Sequence, residues 1–457
     1  MDVGEGSSKN VTESSEIPTI QVGHTLLLRL PSNEIKTLRL EKDSSISLGK
    51  FGSFFSNELV GQPYGLSYNI VDKKLKVLPP KTLQEVEDTD ATNELISDGQ
   101  AVQPLKTDEI EKLKKSGVAA EEIIKMQIEQ HANFSLKTEY SKEKYKKRKE
   151  AKFSKSFSVV VPTLFNVCEY WFNKDSSRLR DIRIDSLSQI LNLASIRPGG
   201  RYLAVDDASG IVVAGILERL GGRGRLITIC DVESPPAYPC VTHMNFKKET
   251  TALLSSLNWA TADEEYTPIV PPSEPASGKY RSDAQKSRMN KRKMLNTALN
   301  KTREELFAGE FDGLIVASQY EPFEILEKLT AYLAGSASIV VHGPNVQIVT
   351  NLQARLREIP TYLAPAVSEP WLRRYQILPM RTHPMMNTSG SGGFILHTIK
   401  VYDDPKASSV VAHRLKVKKA RVESDMSTTP TPSLQDSSEP PVVESKPVDI
   451  KVSSCEE

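Results

Sequence analysis

Residues 201–230, RYLAVDDASGIVVAGILERLGGRGRLITIC, constrain the fold more than any other stretch. Arg201 to Val205 is a short apolar run suited to a buried parallel strand, and Ile211 to Leu220 has helical spacing. Gly221, Gly222 and Gly224 then provide a turn into a second buried strand, Leu226 to Cys230. This is one βαβ unit of a nucleotide-binding type of α/β sheet. Cofactor-binding versions carry a glycine-rich loop after the first strand, because only a residue without Cβ lets the backbone approach the ligand. Here the loop is Asp206-Asp207-Ala208-Ser209-Gly210 followed by Ile211-Val212-Val213, so a single glycine remains and β-branched side chains are expected to fill the cofactor space. Asp231, about 20 residues further on, stands where a ribose-binding acid would sit, although acids at strand ends are also ordinary loop residues.

A chain of 457 residues can bury a sizeable core, and its length suggests two or three domains plus tails. Cys168, Cys230, Cys240 and Cys455 are scattered without a CxxC pair, which argues against a disulfide framework or zinc site and for a reducing compartment. No window of about 18 apolar residues exists and the first residues, MDVGEGSSKNVTESSEIP, lack an apolar signal core, so a soluble intracellular protein is expected. Net charge is only +1, from 59 basic and 58 acidic residues; its distribution carries more information than its sum.

Read in order, residues 1–17 are expected to be a disordered leader. Residues 18–83 carry several evenly spaced strand signals, which suggest a small antiparallel barrel or sandwich. Residues 84–155 read as an acidic linker followed by helices, ending in KTEYSKEKYKKRKEAKFSK. That run has nine Lys/Arg against three Glu, with Tyr140, Tyr145 and Phe153 interleaved. It is either a solvated helical face or a phosphate-tracking surface, and its density favours the second. The α/β domain is expected over 156–402, with FSVVVP (157–162) as its opening strand and two antiparallel strands closing a mainly parallel sheet. A disordered or basic insertion at 260–303, Pro-rich at first, is expected to interrupt it, and 279–303 reads as a second basic helix that must bind something or float. Residues 403–457 read as a disordered tail, in which HRLKVKKARV (413–422) is either a nuclear-localisation patch or a basic strand edge.

Catalytic chemistry is missing where it should stand. After the strand Leu314-Ile315-Val316-Ala317 come Ser318 and Gln319, with no acid and no Asp/Asn-Pro-Pro-type turn. The seven histidines are scattered and no strand-turn-helix serine elbow occurs. Only His383, in Arg381-Thr382-His383-Pro384, has the company of a binding loop, the other reading being a turn that closes the last hairpin.

YSKEKYKKRKEAKF, IRIDSLSQIL, DGLIVAS and above all WLRRYQILPMRTHPMMNTSGSGGFILHTIKV give the chain a resemblance, over about residues 18–402, to a known family. It resembles the non-catalytic subunits of the eukaryotic tRNA N1-methyladenosine methyltransferase that acts at tRNA position 58. The resemblance implies an α+β multidomain architecture: a small N-terminal β-barrel domain, a basic helical connector and a class I methyltransferase-like (Rossmann-like) α/β domain with a degenerate cofactor loop. It also implies no catalytic, cofactor or metal residues in this chain, S-adenosylmethionine in a catalytic partner subunit, an α2β2 heterotetramer, tRNA as ligand, and the nucleus as location. Carried over by position, tRNA contacts would fall on Gly99, Gln100 and Lys106. They would also fall on Lys142, Lys144, Lys146, Lys147, Arg148, Lys149 and Lys152; on Arg180, Arg183 and Asp185; and on Arg381, Thr382, His383, Pro384 and Ser389. The last three segments also stand out by charge; the first does not. The rival expectation is an S-adenosylmethionine-dependent RNA methyltransferase active in its own right, using Gly210 and Asp231.

Overall fold

The computed structural model describes residues 18–79, 120–131, 137–232, 236–267, 282–378, 381–388 and 390–402, with isolated positions between 109 and 134. The leader 1–17, most of the acidic linker and the tail 403–457, including 413–422, lie outside the described residues.

The chain opens with β1 (Thr25–Arg29), β2 (Ile35–Arg39), β3 (Ser45–Ser47), β4 (Ser53–Phe55), β5 (Ser67–Val71) and β6 (Lys74–Leu78). Asp72 and Lys73 are both left-handed, at φ 49° and 63°, and this two-residue turn matches the twist of the β5–β6 hairpin. Two helices follow, α1 (Ala120–Glu129) and α2 (Glu139–Phe153), and then β7 (Ser156–Val160). A five-stranded antiparallel sheet results, in the order β2-β1-β7-β5-β6. The β3–β4 hairpin covers one face, where Phe54 stacks on Phe157 with centroids 5.0 Å apart. Among the described residues β2 and β6 do not pair, so hydrogen bonding leaves the expected barrel open.

The position of β7 corrects the expected boundary at 155/156. FSVVVP is the central strand of the N-terminal sheet, and the helical connector is an excursion between two strands of that sheet. Alternation explains the choice: Phe157 and Val159 enter the N-terminal core beside Leu26 and Leu28, whereas Leu27 and Val160 face the core of the α/β unit. Asn245 adds a polar clasp, its side chain accepting from Thr25 N at 2.8 Å and donating to Thr25 O at 2.9 Å.

The α/β unit then runs through α3 (Leu164–Lys174), α4 (Ile184–Leu193), β8 (Arg201–Asp206), α5 (Ile211–Leu220), β9 (Arg225–Cys230), α6 (Pro239–His243), α7 (Lys248–Thr251) and β10 (Leu254–Asn258). It continues with α8 (Asp283–Phe307), β11 (Phe311–Ala317), α9 (Pro322–Leu329), β12 (Leu333–Gly343), α10 (Val346–Arg357), β13 (Tyr362–Ser368), β14 (Tyr375–Leu378), β15 (Arg381–Pro384) and β16 (Phe394–Lys400). Its seven strands lie in the order β10-β9-β8-β11-β12-β16-β13, a Rossmann-like sheet. Both faces are covered. Tyr202 and Ala204 of β8 join the core on one side, and Leu203 and Val205 join it on the other.

Three expectations need correction here. Only β16 runs antiparallel in this sheet, wedged between β12 and β13, so one reversed strand stands where two were expected. Residues 375–384 leave the sheet as a separate hairpin, β14–β15. The described parts of the 260–303 insertion are ordered structure: Asn258 and Thr261 exchange hydrogen bonds of 2.7–2.9 Å, and α8 carries Thr302, Arg303 and Leu306 into the core. Among the described residues, no helix is long and apolar enough to cross a membrane, and no cluster of His, Cys, Asp or Glu could hold a metal ion.

A filled switch-point crevice and two basic surfaces

Strand order reverses between β8 and β11, and in open α/β sheets the crevice beyond the carboxyl ends of such strands is where ligands bind. Three acids, Asp206, Asp207 and Asp231, stand at these strand ends. Asp206, at the end of β8, is buried. It accepts from the backbone N–H of Ala208 (2.8 Å), Gly210 (3.3 Å) and Val213 (2.9 Å), which shapes the loop. Burial pushes its carboxyl up to about 6 despite these donors. Asp207 is tied to the end of β11, accepting from Ser318 Oγ at 2.7 Å and Gln319 N at 3.0 Å. Asp231, the candidate ribose acid, accepts the Tyr320 hydroxyl at 2.7 Å.

The loop backbone is covered as well. Gly210 has φ +77°, and a Cβ built on it would lie 2.5 Å from Tyr238 Cβ and 2.6 Å from Tyr238 Cγ. Tyr238 is itself buried, and the segment that carries it is pinned by Cys240 N donating to Ser209 O at 3.2 Å. Tyr238 thus packs on the Cβ side of the single glycine left in the loop that nucleotide-binding folds turn to a cofactor. Ile211, Val212 and Val213 are fully buried in the same core cluster as Tyr238, which packs against the Gly210 backbone. The Pro-rich stretch around Tyr238 gave no signal of this approach.

The four segments expected to meet tRNA fare differently. Gly99, Gln100, Lys106 and Ser389 lie outside the described residues, and of Lys147 and Arg381 only the backbone is described. The basic run is a helix, α2, begun by Thr138, whose hydroxyl oxygen accepts from Ser141 N at 3.3 Å. Lys144, Lys146, Arg148 and Lys152 are exposed, while Lys142 and Lys149 are half-buried. Its inner side is aromatic: Tyr145 packs edge-on against His131 and Phe134, and the ammonium groups of Lys137 and Lys149 sit 5.1 and 5.0 Å from the Tyr145 ring centre. Desolvation, then the nearby Lys152, lowers the Lys149 ammonium below its usual range.

The loop before α4 is different. Arg180 is left-handed and half-buried, with its Nε enclosed and unpartnered among the described residues. Arg183 is 3% exposed and binds Asp185 through two nitrogens, at 2.7 and 2.8 Å. It also donates to Gly390 O at 2.6 Å and Pro370 O at 3.2 Å. Ser186 and His342 both donate to Gly392 O, at 2.6 and 3.1 Å. Arg183, Ser186 and His342 thereby hold the backbone at Pro370, Gly390 and Gly392 against α4 and β12, so the Arg183–Asp185 pair expected at tRNA is engaged within the chain. Two of the charged segments are thereby brought together, for a structural reason.

That segment presents apolar side chains to solvent. Thr382 and His383 of β15 are exposed and Pro384 is half-buried, but around them Trp371 is 82% exposed, Ile377 78% and Met386 75%, with Tyr375 and Met385 also exposed. A patch of this kind marks an interaction surface, and charge-based reading missed it.

The match to a protein-family model described as the Gcd10p family covers residues 19–294. The chain is 30% identical over 427 residues to the Debaryomyces hansenii tRNA (adenine(58)-N(1))-methyltransferase non-catalytic subunit TRM6, covering 84% of this chain and 87% of that protein. It is 27% identical to the Schizosaccharomyces pombe protein of the same description, over 89% of this chain and 96% of the relative. Among solved structures it is similar to an Aquifex aeolicus tRNA (m1A58) methyltransferase, with TM-score 0.42 and 14% identity over 84% of this chain and all of that one. It is also similar to a Thermotoga maritima SAM-dependent O-methyltransferase, with TM-score 0.47 and 12% identity over 85% and 97% of the two chains. From the length and identity of the sequence matches, the chain belongs to the Gcd10p family.

Proposed function

We propose that this chain is the non-catalytic subunit of a tRNA N1-methyltransferase acting at adenosine 58, gripping tRNA for a partner that carries out the methyl transfer. The observation that supports the reading is Tyr238 against Gly210: the one glycine left in the cofactor-type loop is packed by the protein's own side chain. Asp231 is engaged by Tyr320, and Ser318 and Gln319 directly after β11 are not acids, so this chain is read as binding no S-adenosylmethionine and contributing no catalytic residue. The donor belongs to the partner subunit.

The RNA-facing element is α2, whose exposed lysines and arginine meet phosphates without reading base edges, so affinity falls steeply with salt. The exposed hairpin around Trp371 and Ile377 is the surface read as docking the catalytic chain, because aromatic and Met side chains supply interface cores. The α2β2 stoichiometry and the nuclear location implied by the family resemblance are part of the same proposal.

The test is co-expression with the catalytic subunit, followed by mass measurement, methylation assay and calorimetry. A complex that methylates tRNA, from which this chain alone is inactive and gives no saturable heat with S-adenosylmethionine, is the expected result. Micromolar donor binding by the isolated chain would favour the rival reading, an enzyme in its own right.

A further inference from the structure

Helix α8 is fixed into the core at its carboxyl end, while most side chains of its amino-terminal half are exposed. At 25 residues it is about 37 Å long. Near its carboxyl end Leu306 is fully buried, and the Arg303 guanidinium donates to the carbonyls of Thr261, Asp263 and Tyr266. That guanidinium also lies 5.2 Å from the Tyr266 ring centre and 5.0 Å from that of Phe307. Arg225 Nε binds Glu305 at 2.6 Å. These contacts set the helix direction.

Arg288, Arg292, Leu295, Leu299, Thr302 and Leu306 follow one another by steps of four and three, so they share one face. The stripe that packs at Leu299, Thr302 and Leu306 therefore continues beyond the domain as Leu295, 61% exposed, and exposed Arg292 and Arg288. Residues 283–298 hold Lys286, Arg288, Lys291, Arg292 and Lys293 against Asp283 alone. Among the described residues Lys286, Arg288, Lys291 and Arg292 make no ion pair. Met294, 73% exposed, and Leu295 are the exposed large apolar groups there, directly following Lys291, Arg292 and Lys293 in sequence.

We propose that residues 283–298 of α8 form a second phosphate-binding arm that lies along the backbone of the bound tRNA. The proposal rests on the reading of this chain as a tRNA-gripping subunit. Charge selects the occupant: interface cores between proteins are depleted of lysine, whereas an RNA backbone releases counterions to each cation that meets a phosphate. The anchored carboxyl end holds the arm at a fixed bearing, so no ordering cost is paid when RNA arrives.

The test uses the complex assembled with the catalytic subunit. Lys286→Ala/Arg288→Ala/Lys291→Ala/Arg292→Ala keeps helix propensity and removes no buried contact, so its unfolding midpoint is a control for folding. We expect tRNA affinity to drop about tenfold near 0.15 M salt, with the slope of log K against log salt shallower by roughly 2 to 3. KM should rise with kcat unchanged. A comparison variant on α2, Lys144→Ala/Lys146→Ala/Arg148→Ala/Lys152→Ala, separates the failures. If the α2 variant loses slope and the α8 variant does not, the arm is wrong and the tRNA-subunit reading stands. If neither loses slope, both fall. If the α8 variant fails to assemble, the arm is a protein contact and the proposal is overturned.

Discussion

Tyr238 lies on Gly210 so closely that a β-carbon added to the glycine would come within 2.5 Å of the tyrosine Cβ. The two residues are 28 apart in sequence, and the contact joins the loop after β8 to the segment that leads into α6. Gly210→Ala must force φ +77° on a residue with a Cβ and displace the ring, at a cost of about 2–4 kcal/mol. In a Tyr238→Gly background the contacts with Cβ, Cγ and Cδ1 are all removed, leaving about 1–2 kcal/mol for the left-handed backbone. Urea unfolding of the four chains of this cycle measures the coupling; additive costs would mean that the ring does not press on the glycine.

Arg183→Ala should be among the most destabilising single changes in the α/β unit. It leaves Asp185 and the carbonyls of Pro370 and Gly390 without their partner, and breaking a buried pair in this way costs about 3–5 kcal/mol. Arg183→Lys should rescue little, since one ammonium cannot span the two carboxylate oxygens. Denaturant midpoints check both. A loss of tRNA affinity by Arg183→Ala at wild-type stability would restore this residue to the RNA surface.

Two buried groups give opposite pH dependences. The Asp206 carboxyl is raised to about 6 from 3.8, so its contribution to stability is present below about pH 4 and lost as pH rises through 6. His342 is lowered from 6.5 to about 4, chiefly by burial, so its contribution is present above 6.5 and lost as pH falls through 4. The slopes oppose each other between pH 4 and 6, and the whole protein should show little net trend from this pair. His342→Gln keeps a donor for Gly392 O and removes the titration. Its deficit relative to the unaltered chain should therefore shrink by about 2 kcal/mol between pH 7.5 and 4.5. A constant deficit across that range would show that His342 does not stay neutral in the folded state.

Trp371→Ser/Ile377→Ser changes side chains that are 82% and 78% exposed, so the isolated chain should unfold within about 0.5 kcal/mol of the original. Assembly with the catalytic subunit should weaken by about 2 kcal/mol or more, roughly thirtyfold, as for a central aromatic anchor. Analytical ultracentrifugation of the mixed subunits reads the difference, and unchanged assembly would remove the hairpin from the interface.

The sequence made β8, α5 and β9 legible because each is a local pattern: an apolar run, a helical period and a glycine turn. The basic character of α2 and α8 was equally plain. What escaped is what depends on distant partners. FSVVVP reads as a buried strand in any sheet, and only pairing with Leu27 and Ser67, more than 90 residues away, assigns it to the N-terminal one. Arg183 carries the same charge whether it faces a phosphate or Asp185, so composition could not tell a buried clamp from an RNA contact. Tyr238 left no trace of the glycine it would cover.

The connector between β6 and β7 is stitched at both ends into one sheet, with only Ser154 and Lys155 between α2 and the central strand and Ile70 N donating to Lys155 O at 3.0 Å. The cationic helix is therefore not a detachable module. A truncation begun at Ser156 would carry off the middle strand of its neighbour, and one ended at Lys155 would leave β1 and β5 facing across a gap. Any torque applied to α2 is delivered, within two residues, to the strand from which Val160 reaches the α/β core.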